Sequence, residues 1–166
     1  MSPDPHPLFL NLAIASLMVM ATVCVHLAGL TGLIALMRRT APRLKVRDTV
    51  SGQALLILGV VFGIFAIHSV EIWMYALAYE LLGSFRTFEE ALYFSTVSFT
   101  TVGFGDLVLP QTWRLVSAIE AANGFVLIGW STAFLVSVTG QLRLLESEIE
   151  DELEEREEAR ARRRGR

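Results

Sequence analysis

The chain has 166 residues, 53% of them apolar, with a formal net charge of −3 at pH 7. Its mean hydropathy of +0.51 is high for a soluble domain, and most of its charges sit in two segments, Arg38–Asp48 and Glu146–Arg166, with long stretches of few charges between them; this excludes an ordinary soluble globular protein and points to a membrane. A single cysteine, Cys24, excludes a disulfide within the chain and leaves the redox compartment open.

Residues 1–7 contain no Lys or Arg, and the apolar run Leu8–Met37 is too long for the hydrophobic region of a signal peptide. A retained transmembrane helix is therefore expected first. His26 within it is expected to form a helix–helix hydrogen bond, because histidines at positions 6, 26 and 68 give no metal-ligand spacing. Arg38, Arg39, Arg43, Lys45 and Arg47 then crowd a short link. The positive-inside rule places that link in the cytoplasm, with the N-terminus outside and the C-terminus cytoplasmic. The expected location is a multi-pass position in a cell membrane, the plasma membrane of a prokaryote.

The second span is Ser51–Leu82 and the third Trp113–Leu142. Each exceeds the ~20 residues that cross a bilayer, so tilt or protrusion is expected. Trp73, Tyr75, Tyr79 and Trp113 read as markers of the membrane–water interface. No span carries Arg or Lys at every third position, which excludes an arginine-rich voltage-sensing helix.

Between these spans the chain reads Thr87-Phe-Glu-Glu-Ala-Leu-Tyr-Phe-Ser-Thr-Val-Ser-Phe-Thr-Thr-Val-Gly-Phe-Gly-Asp106. Thr87 and Glu90 form a capping box that starts a short helix. The helix cannot span, so it is expected to re-enter from the outside, ending near Thr100 with its negative dipole end toward the pore. Thr100-Thr-Val-Gly-Phe-Gly-Asp106 carries the pattern of a potassium selectivity filter. Backbone carbonyls that replace an ion's water shell must face one axis, which requires residues of alternating handedness, and Gly103 and Gly105 adopt the left-handed positions without steric cost. The expected K+ ligands come from Thr101, Val102, Gly103 and Phe104, with Gly105 completing the filter. Val102 and Phe104 direct their side chains into packing behind it, and Asp106 stands at the outer mouth, concentrating cations.

Residues 51–143 resemble the pore module of the potassium channel superfamily: outer helix, pore helix, filter and inner helix. Trp113-Arg-Leu-Val116 is similar to the start of the inner helix in two-helix bacterial potassium channels, and Gly129 and Thr132 also match. The stretch His68–Ala133 resembles small bacterial ion-channel proteins. This resemblance implies a gating hinge at Gly124, with close packing of small residues against the pore helix as the alternative reading of that glycine, and, since one chain supplies one filter, a homotetramer. The first helix departs from the two-helix pattern and has no assignable motif. Phe104 replaces the commoner tyrosine, a variant known among potassium-selective members. Val97 stands where some relatives place a glutamate paired to the filter aspartate, which leaves Tyr93 as the partner for Asp106. Tyr93, Val97 and Thr100 are thus the expected filter support.

Glu120 is expected about 10 Å below the outer interface and His68 about 7 Å. Asn123 shares the face of Glu120, and Glu71 that of His68. Ionisable groups at such depth need partners. One expectation is a polar cluster of His68, Glu120 and Asn123. The other is a protonated Glu120 bonded to the pore helix, with His68 facing headgroups or the first helix. After Gln141 the span is expected to continue as a charged helix, either a short four-stranded coiled coil on Leu142, Leu145, Ile149 and Leu153 or a solvated helix, with Glu152–Arg156 and Glu158–Arg162 pairs. The basic end from Arg160 to Arg166 offers contact to anionic lipid.

The fold expected is an all-α membrane protein with three transmembrane helices, a re-entrant pore helix and a tetrameric pore. Residues 1–49 form the extra helix and basic link, 50–143 the pore domain and 144–166 the cytoplasmic tail. No nucleophile–base pair, phosphate loop or nucleotide fingerprint is present, so no enzyme, nucleic-acid partner or small-molecule substrate is expected. K+ is the permeant ion, not a cofactor. The function expected is passive K+ conduction. The competing readings are a regulatory or non-conducting subunit, a potassium transporter subunit and a weakly selective cation channel.

Overall fold

The computed structural model describes residues 5–43 and 49–164, with side chains described for 8–43, 49 and 51–142. The described residues form helices α1 (Pro5–Thr40), α2 (Val50–Leu81), α3 (Phe88–Phe99) and α4 (Arg114–Arg164), with a 3-10 turn at Gln111–Trp113 before α4. Leu8–Thr40, Ser51–Leu81 and Gln111–Leu142 are long and apolar enough to cross a membrane. The protein is an all-α, multi-pass membrane protein. Lys45 and Arg47 lie outside the described residues, as do the tail side chains on which a coiled coil or ion pairs would rest.

Local chemistry sets the helix ends. Thr49 caps α2, its hydroxyl accepting from Gly52 N–H at 3.2 Å. After Leu81 the chain turns through Gly83 at φ +65°, with Ser84 N–H donating to the Tyr79 carbonyl at 3.0 Å.

α2 packs on α1, α3 and α4, and α1 also packs on α4. The buried residues of α1, namely Asn11, Ala15, Thr22, His26, Leu30 and Leu33, recur at helical spacing on one face. The helix docks through that stripe while Leu17, Met20 and Leu27 are exposed. Approach to α2 is close: a Cβ on Gly29 would lie 2.7 Å from Ile67, and one on Gly63 would lie 2.7 Å from Leu33. Small residues that let helix backbones approach are a general means of association in lipid. The helix with no assignable motif is therefore a packed part of the molecule.

The main core lies where α2, α3 and α4 meet, around Tyr75, Tyr79, Phe94, Phe99, Val116 and Leu127. This corrects the reading of Tyr75 and Tyr79 as interface markers. Both are fully buried, whereas Trp73 is exposed. Their hydroxyls are taken up by polar side chains of α4, which lets a tyrosine occupy a core position.

Candidate functional site

The short helix α3 starts at Thr87, whose hydroxyl accepts from Glu90 N–H at 3.2 Å. The reciprocal bond differs from the expected capping box: Glu90 Oε2 accepts from Arg86 N–H at 3.1 Å instead of from Thr87 N–H. Both acidic residues of the first turn, Glu89 and Glu90, stand at the positive end of the helix dipole. At the other end Thr100 closes α3, its N–H and hydroxyl both donating to the Thr96 carbonyl.

Beyond Thr100 the backbone alternates in handedness. Thr101, Gly103 and Gly105 have φ of 59°, 59° and 76°, and the described residues contain no other left-handed position besides Gly83. The glycines were legible in the sequence. Thr101 was not, because a β-branched residue disfavours positive φ. The start of the loop is anchored by backbone: Val102 and Gly103 N–H both donate to the Val97 carbonyl, at 3.0 and 3.3 Å, and Thr101 N–H donates to the Ser98 carbonyl at 2.9 Å. Val97 thus contacts the loop through its main chain, which its side-chain identity does not reveal. Val102 and Phe104 are 54% and 71% exposed within one chain. Tyr93 and Asp106 meet as expected, the phenol donating to Asp106 Oδ2 at 2.8 Å. That bond holds the Asp106 carboxyl below the usual carboxylate range and pushes the Tyr93 phenol up.

Gly124 of α4 lies against the last residue of α3. A Cβ there would collide with the Phe99 carbonyl oxygen and lie 2.9 Å from its carbon. α4 continues unbroken through this point. Close packing between inner helix and pore helix is thus a sufficient reason for glycine at the position expected to hinge.

The polar residues behind the loop are grouped differently from the single cluster of His68, Glu120 and Asn123. Three sets form instead. Glu120 joins α4 to α2 and α3: Tyr79 OH donates to its Oε2 at 2.5 Å, and Ser95 Oγ lies 2.6 Å from its Oε1. Ser95 Oγ also lies 2.9 Å from the Ile72 carbonyl. One hydroxyl hydrogen serves only one of these acceptors, so the set closes completely when the carboxyl of Glu120 carries a proton and donates it to Ser95 Oγ. Asn123 donates to Thr22 Oγ1 of α1 at 2.8 Å and to Tyr75 OH at 3.3 Å. His68 turns away from Glu120 and bonds Glu71 Oε2 at 2.8 Å, while His26 bonds Glu71 Oε1 at 2.9 Å. The physical reason is α1: it presents Thr22 and His26 to the pore module and satisfies groups that would otherwise have to find one another. The contact of Glu120 with the pore helix and the orientation of His68 toward the first helix follow the second of the two expectations. Tyr79, Ser95 and Thr22 were missed because nothing in their spacing marks them as partners.

Two spanning helices that flank a capped, re-entrant helix and an extended loop with left-handed glycines define the class of ion-channel pore subunits. A family model described as an ion channel matches residues 53–141, just over half of the chain. The chain belongs to that family, and the matched segment is a potassium channel superfamily pore module. The match covers α2, α3, the loop and the spanning part of α4, and leaves α1 outside. No curated protein and no solved structure matches the chain.

Proposed function

We propose that four copies of the chain form a potassium-selective channel that conducts K+ passively down its gradient, with Thr101–Gly105 as the filter and Asp106 at its outer mouth. The observation that carries this reading is the alternation of handedness at Thr101, Gly103 and Gly105, anchored to Val97. Such alternation turns successive carbonyls to one side, where they replace a cation's hydration shell. The assembly follows from the same loop. Residues 101–106 are exposed in a single chain, and bare backbone at membrane depth is tolerated only where other protein or water covers it. Copies around a symmetry axis supply both. Arg38 and Arg39 in the last turn of α1, and Arg43 just beyond it, support a cytoplasmic link by the positive-inside rule, with the N-terminus outside and α4 running inward.

The test is flux from liposomes containing the purified protein, loaded with K+ or Na+, with Ba2+ as blocker. K+ efflux that Ba2+ stops and Na+ does not share is the expected result. No flux, or equal K+ and Na+ flux, overturns the reading. Gly103→Ala refines it. Nothing lies within 4 Å of a Cβ at Gly103 and its φ is +59°, so the penalty is conformational, about 1–2 kcal/mol per chain. Loss of K+/Na+ discrimination with retained expression is expected, and an unchanged ratio removes the filter assignment.

A further inference from the structure

α1 brings to the pore module an arrangement that ion conduction does not use. Glu71 of α2 is fully buried and held between two imidazoles. His26 Nδ1 of α1 lies 2.9 Å from Oε1, and His68 Nδ1 lies 2.8 Å from Oε2. His26 is also fully buried, and the ligating atoms of all three residues lie within 4.8 Å of one another. The two rings sit with centroids 5.5 Å apart. Neither Nε2 has a hydrogen-bond partner.

Helix adhesion alone does not require this set. One neutral hydrogen bond, Asn123 to Thr22, already fastens α1 to α4, at far lower desolvation cost than a carboxylate with two imidazoles at membrane depth. Two imidazole nitrogens and a carboxylate are the donor set of a zinc-type ion, bound at about 2.0–2.2 Å. In a tetrahedral site such ligands stand about 3.3 Å apart. The observed 2.8 and 2.9 Å run to the two oxygens of one carboxylate and open by a few tenths of an ångström to admit an ion in place of the shared hydrogens, while the two imidazole nitrogens, within 4.8 Å of each other, close on it. Three protein ligands leave a fourth position. The His68 side chain is 14% exposed and lines a cavity of about 540 Å3 whose wall also includes Phe99, Thr100 and Ser131. The Ser131 hydroxyl on that wall is buried without a partner.

We propose that His26, His68 and Glu71 form a binding site for a divalent transition-metal ion of the zinc class, which clamps α1 to α2. The site touches the conduction machinery through aromatic contacts. The His68 ring lies 5.7 Å from Phe99, the residue before Thr100, and the His26 ring lies 5.2 Å from Trp130 of α4. An ion held there braces the end of the pore helix from behind, so occupancy acts on the pore without lying in it. His26 belongs to a helix outside the family match, so the matched segment alone does not form the site. It stands whichever ion the pore conducts.

The test uses the full-length protein in detergent, stripped with EDTA and titrated with Zn2+ by calorimetry, with thermal unfolding in parallel. Saturable binding of one Zn2+ per chain and a raised Tm are expected, with no effect from Mg2+, which prefers oxygen ligands. His26→Asn and Glu71→Gln keep hydrogen-bonding side chains of similar size, and each should weaken Zn2+ binding by at least about 10-fold. His6→Ala controls for the remaining histidine and should leave binding unchanged. Absence of saturable binding overturns the proposal, and so does wild-type affinity in both site variants or loss of binding in His6→Ala. Should the site variants fail to fold, Co2+ bound to the wild-type protein decides, since imidazole ligation of low coordination number gives intense visible bands and their absence refutes the site.

Discussion

The loop from Thr100 to Asp106 and the polar residues behind it are built on opposite principles. The loop is contiguous, exposed in one chain, and tied at its start by main-chain bonds to the neighbouring turn of α3. The residues behind it are fully or largely buried and joined side chain to side chain, across 25 positions from Ser95 to Glu120, 45 from His26 to Glu71 and 101 from Thr22 to Asn123. The loop depends on which conformations a residue can adopt, and the network on whether every buried polar atom finds a partner. Substitutions in the first region should therefore alter conduction with little effect on stability, and substitutions in the second should do the reverse.

Glu120 offers the largest contrast. Glu120→Ala leaves the Tyr79 hydroxyl without its acceptor, removes one of the two partners of Ser95 and opens a cavity between three helices. A loss of about 3–5 kcal/mol is expected, read as a lowered Tm in detergent. Glu120→Gln retains an acceptor and a donor at the same place and should lose far less. Equal losses in the two variants would mean that the carboxyl itself, which an amide of the same size does not replace, and not the filled volume, holds the three helices.

Gly124→Ala should be next. Its Cβ meets backbone, the Phe99 carbonyl, which cannot rotate away as a side-chain tip can. Overpacking of this kind costs about 1–3 kcal/mol, and α3 or α4 must shift. The expected result is a lower Tm together with altered flux, since α3 carries the loop. Altered gating at wild-type Tm would favour the hinge over the packing contact.

The smallest effect belongs to Tyr93→Phe. Asp106 is held low by its bond from Tyr93, so the carboxylate form of the pair is favoured at neutral pH. The contribution is complete above the ordinary carboxylate pKa and is lost as pH falls through the lowered folded-state value. Without the phenol the Asp106 carboxyl should titrate at higher pH. The acid limb of K+ flux in liposomes should move the same way, with Tm at pH 7 hardly changed. An acid limb identical in wild type and variant would show that the Tyr93–Asp106 bond does not set the charge at the mouth.

The sequence by itself determined whatever depends on neighbours along the chain. Hydropathy set the three spans, Thr87 set the start of α3, and Gly103 and Gly105 set the left-handed positions, because burial in lipid, helix capping and backbone sterics are local requirements. The meeting of Tyr93 with Asp106 was expected from the family resemblance, which left Tyr93 as the partner once Val97 offered no carboxylate. Tertiary structure alone decided the rest. Glu120, Asn123 and His68 were legible as polar residues at membrane depth, each in need of a partner, but the partners were not legible. Thr22 and His26 lie on a helix whose docking face is chosen by close approach at Gly29 and Gly63, and Tyr75 and Tyr79 read equally well as interface aromatics. Which donor reaches which acceptor depends on helix rotation and on separations of a few ångströms, and spacing along one chain carries no information about the distance between two helices.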